Sequence, residues 1–419
     1  MHYLLFFLYL ILSGLILIRI PFVKGCGLNK KTIIALFIIK ISAGVTLSLV
    51  AYHFSALNDY QVLNKDGITE YHLLTKNPKD FFLNIFYSPY QNAYGGYFDA
   101  VGSYWNDLRA NIIIKTLAVI NLISKGDFYI NLLMFNFVGF LGHIALFRLF
   151  SSIYPNQKKI IIFCSFLIPT TLYFSSGIHK DLIVFTALAF YCYGLYFSLT
   201  QSFNKKRFIL TLFSFLLLLL MRNFLAVLLV PSTLGFIIVI KKKLRPAITF
   251  AAIYVSGIIF IIISGIFLKD FQPLKIISSR QQEFLKLPKA NSQIEVNKLY
   301  PTINSFAHNL PQAINHGFLQ PYIWKSGSMI SFLPALELFL IQTLVFIAIF
   351  IKRKKGQFWK PFTVFCFSFS ISMFLIIGYI IPNTNTIVRY KSLFLPFVLT
   401  PVLCLITIKK EKQPNTLFL

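Results

Sequence analysis

The sequence predicts an all-α fold, a polytopic transmembrane helical bundle of about eleven spans with two external inserts. Three observations predict it. Hydrophobic residues make up 57% of the 419 and charged residues only 13%, against about 25% charged in a typical soluble domain. The apolar residues come in blocks near the roughly 20 residues needed to cross about 30 Å of hydrocarbon. The Lys and Arg behind the net charge of +27 sit in short clusters between those blocks. That distribution orients a membrane protein and argues against a nucleic-acid-binding face.

In chain order the blocks run 3–23, 32–53, 128–152, 158–176, 182–200, 207–240, 246–268, 329–352, 359–381 and 392–408. The first lacks a charged leader, and Arg19, Pro21 and Lys24 stand where small residues should precede cleavage, so it reads as a span. Basic clusters fall at Arg19/Lys24/Lys30/Lys31, Arg148/Lys158/Lys159, Lys205/Lys206/Arg207, Lys241/Lys242/Lys243/Arg245, Lys352/Arg353/Lys354/Lys355/Lys360 and Lys409/Lys410/Lys412. Placing every cluster in the cytoplasm puts 22 of the 40 Lys/Arg there, with Glu411 the only acid, and leaves 17 basic and 11 acidic residues outside. The alternation closes on one condition. The 34-residue block 207–240 must cross twice, with Arg222-Asn223 at the outer tip of a hairpin. The expected topology is N-terminus outside and C-terminus cytoplasmic in the cytoplasmic (inner) membrane, multi-pass, with one membrane domain over 1–419.

Segments 54–127 and 269–328 then lie outside. Within the first, Asn111–Ser124 is apolar but only 14 residues long, and reads as an interfacial or re-entrant helix. No internal repeat or low-complexity tract stands out. Of the five cysteines, Cys164, Cys192, Cys366 and Cys404 lie inside apolar blocks and Cys26 in a basic loop, which supports neither a disulfide framework nor a zinc site.

Residues with chemical potential gather on the external side. Asp66, Glu70 and His72 offer two carboxylates and an imidazole within seven residues, suited to proton abstraction or to holding a divalent cation. A solvated helix start capped by Asp66 competes with that reading. The turn Pro169–Asp181 packs Ser175, Ser176, His179, Lys180 and Asp181 together, amides and an ammonium that suit a phosphate as readily as a plain hairpin turn. Arg222, alone in its apolar stretch, needs an anion, either a ligand or an external acid such as Asp66. Between the last two spans, Arg389, Tyr390 and Lys391 lie at the membrane surface, where they serve a phosphate or touch lipid headgroups. The insert 269–328 carries Arg280, Glu283, His308, Asn309, His316 and Trp324 without diagnostic spacing. Tyr87, Tyr90, Tyr94, Tyr97, Tyr104 and Trp105 suit either sugar stacking or interfacial anchoring.

The layout resembles bacterial polytopic proteins of envelope polysaccharide assembly, including multi-spanning (C-type) glycosyltransferases and oligosaccharide-repeat polymerases. The likeness rests on Asp66-Gly67…Tyr71-His72, on Ser175–Asp181 (SSGIHKD) and on Asn385–Phe397 (NTIVRYKSLFLPF). It implies that Asp66 acts as base or metal ligand, assisted by Glu70 or His72. It also implies that Lys180, Arg222 and Arg389 hold a polyprenyl-linked phosphate or diphosphate, with His179, Tyr390 and Lys391 beside them. One departure is a span preceding the acidic loop, which turns the N-terminus outward. The implied activity is sugar transfer from a polyprenyl-phosphate donor in the membrane lipid. The rival readings are a transporter or flippase of glycan precursors and a non-enzymatic subunit of an assembly system.

Overall fold

A backbone surrounded by hydrocarbon has no water to bond, so each apolar block must close its hydrogen bonds internally as helix. The computed structural model describes residues 2–54, 59–86, 103–267, 272–288, 292–350 and 359–406, and among these it contains helices and turns but no β-strand. The first part of the chain forms α1 (His2–Leu17), α2 (Pro21–Lys24), α3 (Lys30–Phe54), α4 (Asp59–Lys76), α5 (Pro78–Leu83), α6 (Tyr104–Ser124) and α7 (Phe128–Ile153). The middle supplies α8 (Lys158–Ile162), α9 (Pro169–Phe174), α10 (Lys180–Thr200), α11 (Lys205–Met221), α12 (Asn223–Lys242) and α13 (Pro246–Phe267). The rest comprises α14 (Pro273–Lys286), α15 (Ile303–Ile314), α16 (Met329–Phe350), α17 (Pro361–Ile380), α18 (Thr384–Ser392) and α19 (Leu395–Leu405).

Seven of these helices are long and apolar enough to cross a membrane: α3, α7, α10, α12, α13, α16 and α17. The pair α18–α19, bent by 60°, makes an eighth if read as one span. The other expected crossings are shorter or interrupted. α1 has 16 residues and α11 has 17. Block 158–176 breaks into α8, a π-helical turn Phe163–Leu167 and α9, because Pro169 forces the preceding Ile168 out of the helical region (ψ 116°).

Block 207–240 folds back on itself at Arg222, whose φ of −154° and ψ of 76° interrupt the helix. Side-chain partners give the directions. Asp181 meets Arg222, Tyr191 meets Phe215 and Gly194 meets Thr211, so α11 runs antiparallel to α10. Tyr191 also bonds Thr233 (2.7 Å) and Tyr196 stacks on Phe236, so α12 runs parallel to α10. Hence α11 and α12 form a hairpin with Arg222 at its tip.

The bundle has two chemically different ends. At one, Arg148 donates to Phe22 O (2.9 Å), Lys360 to Ile153 O (2.8 Å), and Arg207 to Gln201 Oε1 (2.7 Å). Lys158 there bonds Gly27 O, which joins the early basic loop to the others. The other end carries His179, Asp181, Arg222 and Arg389. Lys352, Arg353, Lys354, Lys355, Lys409, Lys410, Glu411 and Lys412 lie outside the described residues, as do Tyr87, Tyr90, Tyr94 and Tyr97.

The apolar segment Asn111–Ser124 is not a separate 14-residue element. Ser103 caps a polar first turn by accepting from Asn106 N (3.3 Å), which extends the helix to the 21 residues of α6. Its end is a left-handed turn at Lys125 (φ 51°) and Gly126 (φ 89°).

Phe236 packs against Phe362 (5.5 Å) and Phe365 (6.0 Å), locking α12 to α17 near the basic end. Near the other end α15 and its π-helical continuation Asn315–Leu319 press onto α17 through glycine. A Cβ at Gly378 would overlap the Ala313 carbonyl, and one at Gly317 the Phe374 carbonyl. Small residues allow this backbone-to-backbone approach between helices. We expect Gly378→Val to cost at least about 3 kcal/mol, seen as a lower thermal midpoint of the detergent-solubilised protein. An unchanged midpoint would contradict the close crossing.

Candidate functional site

At the end away from the basic loops, one buried carboxylate collects three parts of the chain. His179 is the N-cap of α10 and accepts from Asp181 N (3.4 Å), which fixes Asp181 in the first turn. Asp181 is 1% exposed. Its Oδ1 accepts from Arg222 Nη2 at 2.5 Å, and its Oδ2 accepts from Arg389 Nε. Arg389 Nη2 also donates to His179, 2.7 Å from Nδ1. The turn before α10, the α11–α12 tip and α18 therefore meet at one point. Charge-assisted bonds of this kind are the strong ones.

Burial, then the neighbouring Arg389 charge, pushes the His179 imidazole down to about 3, so it is neutral at physiological pH. Tyr60 of α4 lies against it (ring centroids 5.7 Å apart), and burial pushes that phenol up to about 12.

Beside the cluster opens a cavity of ≈ 270 Å³. Arg109, Lys180, Arg222 and Arg280 contribute cations to its wall, and Glu283 is the one carboxylate among the described lining residues. Ile376, Ile377, Ile380 and Ile381 from the end of α17 form an apolar side, with Trp105 and Tyr390 nearby. Arg222 lies over the Tyr390 ring (4.0 Å). The Arg222 side chain is 3% exposed, yet its Nη1 has no hydrogen-bond partner. Leaving such a donor unpaired is costly.

Arg109 reaches the cavity because the first turn of α6 docks on the end of α11. Trp105 Nε1 donates to Leu220 O (3.0 Å) and Arg109 Nη1 to Met221 O (3.3 Å). Burial lowers the Arg109 pKa, although the guanidinium stays protonated. Sequence reasoning passed over Arg109. Its signal was a cation in a polar turn directly ahead of a long apolar run.

The acidic motif of α4 does not assemble into a site. Asn64, Gly67 and Glu70 are the buried face of α4, turned toward α6. Glu70 pairs there with Lys115 (2.6 Å), which also donates to Phe81 O (2.8 Å). His72, two residues on, points away from Glu70 as helical geometry requires and is exposed. Asp66 does not line the cavity. Partial burial raises its pKa. Arg222 takes Asp181 as its counter-ion instead of Asp66.

Lys391 also departs from expectation. Residues 384–392 are helical, so positions 389 and 391 face different ways. Lys391 is buried and donates to Gln320 O (2.9 Å), beside a second void of ≈ 10 Å³ that it shares with Thr170 and Glu337. Of the 269–328 candidates, Arg280 and Glu283 line the large cavity, whereas His308, Asn309, His316 and Trp324 do not. No group of three or more His, Cys, Asp or Glu among the described residues could hold a metal ion.

Two span residues position the turn that carries His179 and Asp181. Lys40 Nζ donates to Ser175 O (2.7 Å) and lies 3.2 Å from His143 Nε2. Asn136 donates to Ser176 O (2.7 Å). Sequence reasoning overlooked His143, an ionisable group inside an apolar helix. Compared with known proteins, the chain matches no family model, no curated protein and no solved structure.

Breaking the Glu70–Lys115 pair takes the cation from a buried carboxylate. We expect Lys115→Met to cost about 3–5 kcal/mol, and the double variant Glu70→Gln/Lys115→Met to recover most of that loss in thermal unfolding. The double variant melting as low as the single one would argue against the pairing. His179 makes a second test. Its folded pKa of about 3 lies below the ordinary imidazole value of 6.5. Above 6.5 both states are neutral there; below it the unfolded chain binds a proton that the folded chain refuses. Stability therefore falls as pH drops from 6.5 toward 3. His179→Gln should flatten that part of the melting-temperature profile, and an identical slope would speak against a buried neutral imidazole.

Proposed function

We propose that the protein is a membrane glycosyltransferase or glycan polymerase that uses a polyprenyl-phosphate-linked sugar donor at the outer face of the cytoplasmic membrane. The observation that carries this reading is a cavity with cations on one side and isoleucines on the other, its wall including Arg222, whose buried Nη1 has no hydrogen-bond partner. A free anion would need only the cations. A phosphate bearing a long isoprenoid tail needs both walls, with its headgroup on Arg222, Lys180 and Arg109 and its tail along Ile376–Ile381. Trp105 offers a ring on which the sugar can stack.

In this reading the anomeric carbon loses its phosphate with the bonding electron pair, and the preset cations stabilise the growing negative charge. Arg389 acts from behind through Asp181, holding Arg222 in place. The topology belongs to the same proposal: eleven crossings, basic loops in the cytoplasm, and the cavity outside.

A second reading, a carrier of glycan precursors, is favoured by one feature. The interrupted segment α8–α9 packs on the bent segment α18–α19, with Thr171 Oγ1 donating to Ser392 O. Paired broken helices are where carriers bind their cargo.

The full chain in lipid nanodiscs should bind a long-chain polyprenyl phosphate. Arg222→Gln and Lys180→Gln should each weaken binding by about tenfold or more, the worth of a charged hydrogen bond. The unphosphorylated polyprenol should bind at least as poorly as those variants. Equal binding of polyprenol, or wild-type affinity in Arg222→Gln, would defeat the proposal. Movement of a labelled lipid-linked sugar across proteoliposomes without glycoside formation would favour the carrier.

A further inference from the structure

We infer that Glu283 is the general base that takes the proton from the acceptor hydroxyl, an inference that rests on the glycosyl-transfer reading above. The cavity is graded from floor to mouth. Arg222 at its floor is 3% exposed, whereas the side chains of Arg280 and Glu283 are 30% and 26% exposed. An acceptor sugar arriving from water meets Glu283 and Arg280 before it meets Arg222. A lipid-held phosphate lies deeper, on Arg222, with its tail along the α17 wall.

Helical spacing puts Glu283 there by construction. Arg280, Glu283, Phe284 and Leu287 all line the cavity, the i, i+3, i+4, i+7 face of α14 and its C-cap. The opposite face is bolted down by Gln281, 1% exposed, whose amide donates to Tyr379 O (2.8 Å) and Asn297 O (3.1 Å) and accepts from Leu299 N (2.7 Å). The carboxylate therefore hangs from a fixed helix.

Among the described residues, Asp181, His179, Tyr60, Asp66 and Glu70 do not line the cavity. Asp181 is buried and spends both oxygens on guanidinium groups. His179 accepts from Arg389 and, like Tyr60, does not line the cavity. Asp66 and Glu70 are on α4, away from it.

The step balances without a cofactor. The acceptor oxygen forms its bond to the anomeric carbon as its proton passes to Glu283. The bond from that carbon to the phosphate oxygen breaks, and its electron pair leaves with the phosphate. Glu283 pairs with Arg280 at 3.2 Å before the reaction. Protonation weakens that pairing with Arg280, a cation of the cavity wall.

The test uses the full chain, with long-chain polyprenyl phosphate as the binding probe in nanodiscs. Glycan product is read in cells relying on the variant, normalised to protein in the membrane. Glu283→Gln should bind the probe within about twofold of wild type and lose at least about 100-fold of product, the usual worth of a general base. Glu283→Asp should keep part of the activity and shift its pH profile. If Glu283→Gln binds normally and still makes product within a few-fold of wild type, Glu283 is not the base, while the phosphate cavity stands. Loss of probe binding in Glu283→Gln, or a Glu283→Asp variant as inactive as the amide, would make Glu283 a structural residue and overturn the inference. Failure of the wild-type chain to bind the probe would overturn both.

Discussion

Asp181 bridging Arg222 and Arg389 is the contact on which the functional end of this molecule depends. Two guanidinium groups brought together at the edge of a hydrocarbon phase repel each other and lose their hydration. A single buried carboxylate, held in place by its own helix turn, gives both of them a partner. Take the carboxylate away and the tip of the α11–α12 hairpin has no reason to stay against α18. The bridge is incomplete in charge, since two cations face one anion. The excess, together with Lys180 and Arg109, leaves the wall of the neighbouring cavity rich in cations. Arg222 thus belongs both to the closure of this end and to the cavity wall.

That arrangement depends in turn on the polarity of the bundle. At the basic end Arg148 donates to Phe22 O and Lys360 to Ile153 O. At the other end the cations are paired with carboxylates or turned into the cavity. Helices alternate direction between the two ends, so every polar side chain that starts or finishes a long helix is delivered to one end or the other. The order of basic loops along the chain therefore has a spatial counterpart in the fold.

Much of this could be read from the chain because some residues have only one tolerable place. Arg222 in the middle of a long apolar run fits a hairpin tip and little else, and that is where it lies. The Ser175–Asp181 turn and the Arg389 segment were legible for the same reason. What could not be read was which acid meets which cation. Lys115 and Glu70 are far apart in sequence, and only the packing of α4 on α6 turns a candidate catalytic carboxylate into half of an internal ion pair. Lys391 looked equivalent to Arg389 in an expected loop; once residues 384–392 wind into a helix, the two diverge. The role of Glu283 was hidden differently. Its partners on the cavity wall come from α6, α12 and α17, so no local spacing marks it.

The interrupted helix α9 shows why the ionisable residues inside the spans do not by themselves argue for transport. A charge at that depth is a functional hypothesis by default. Here each has a structural duty first. The Glu337 carboxylate accepts from Thr170 N (2.8 Å) and Thr170 Oγ1 (2.6 Å), at the N-terminal end of α9. Lys40 donates to Ser175 O (2.7 Å), just past the C-terminal end. An acid at the first turn and a base at the last satisfy orphan backbone groups and oppose the helix dipole. A broken helix in a low-dielectric bundle needs such caps whatever the protein does. With Lys40 and Glu337 engaged in this way, the buried guanidinium that keeps an unpartnered donor among the described residues is Arg222, part of the cavity wall. The caps matter to that cavity because α9 leads directly into the turn that sets His179 and Asp181, so charges buried among the spans fix the position of the buried carboxylate beside it.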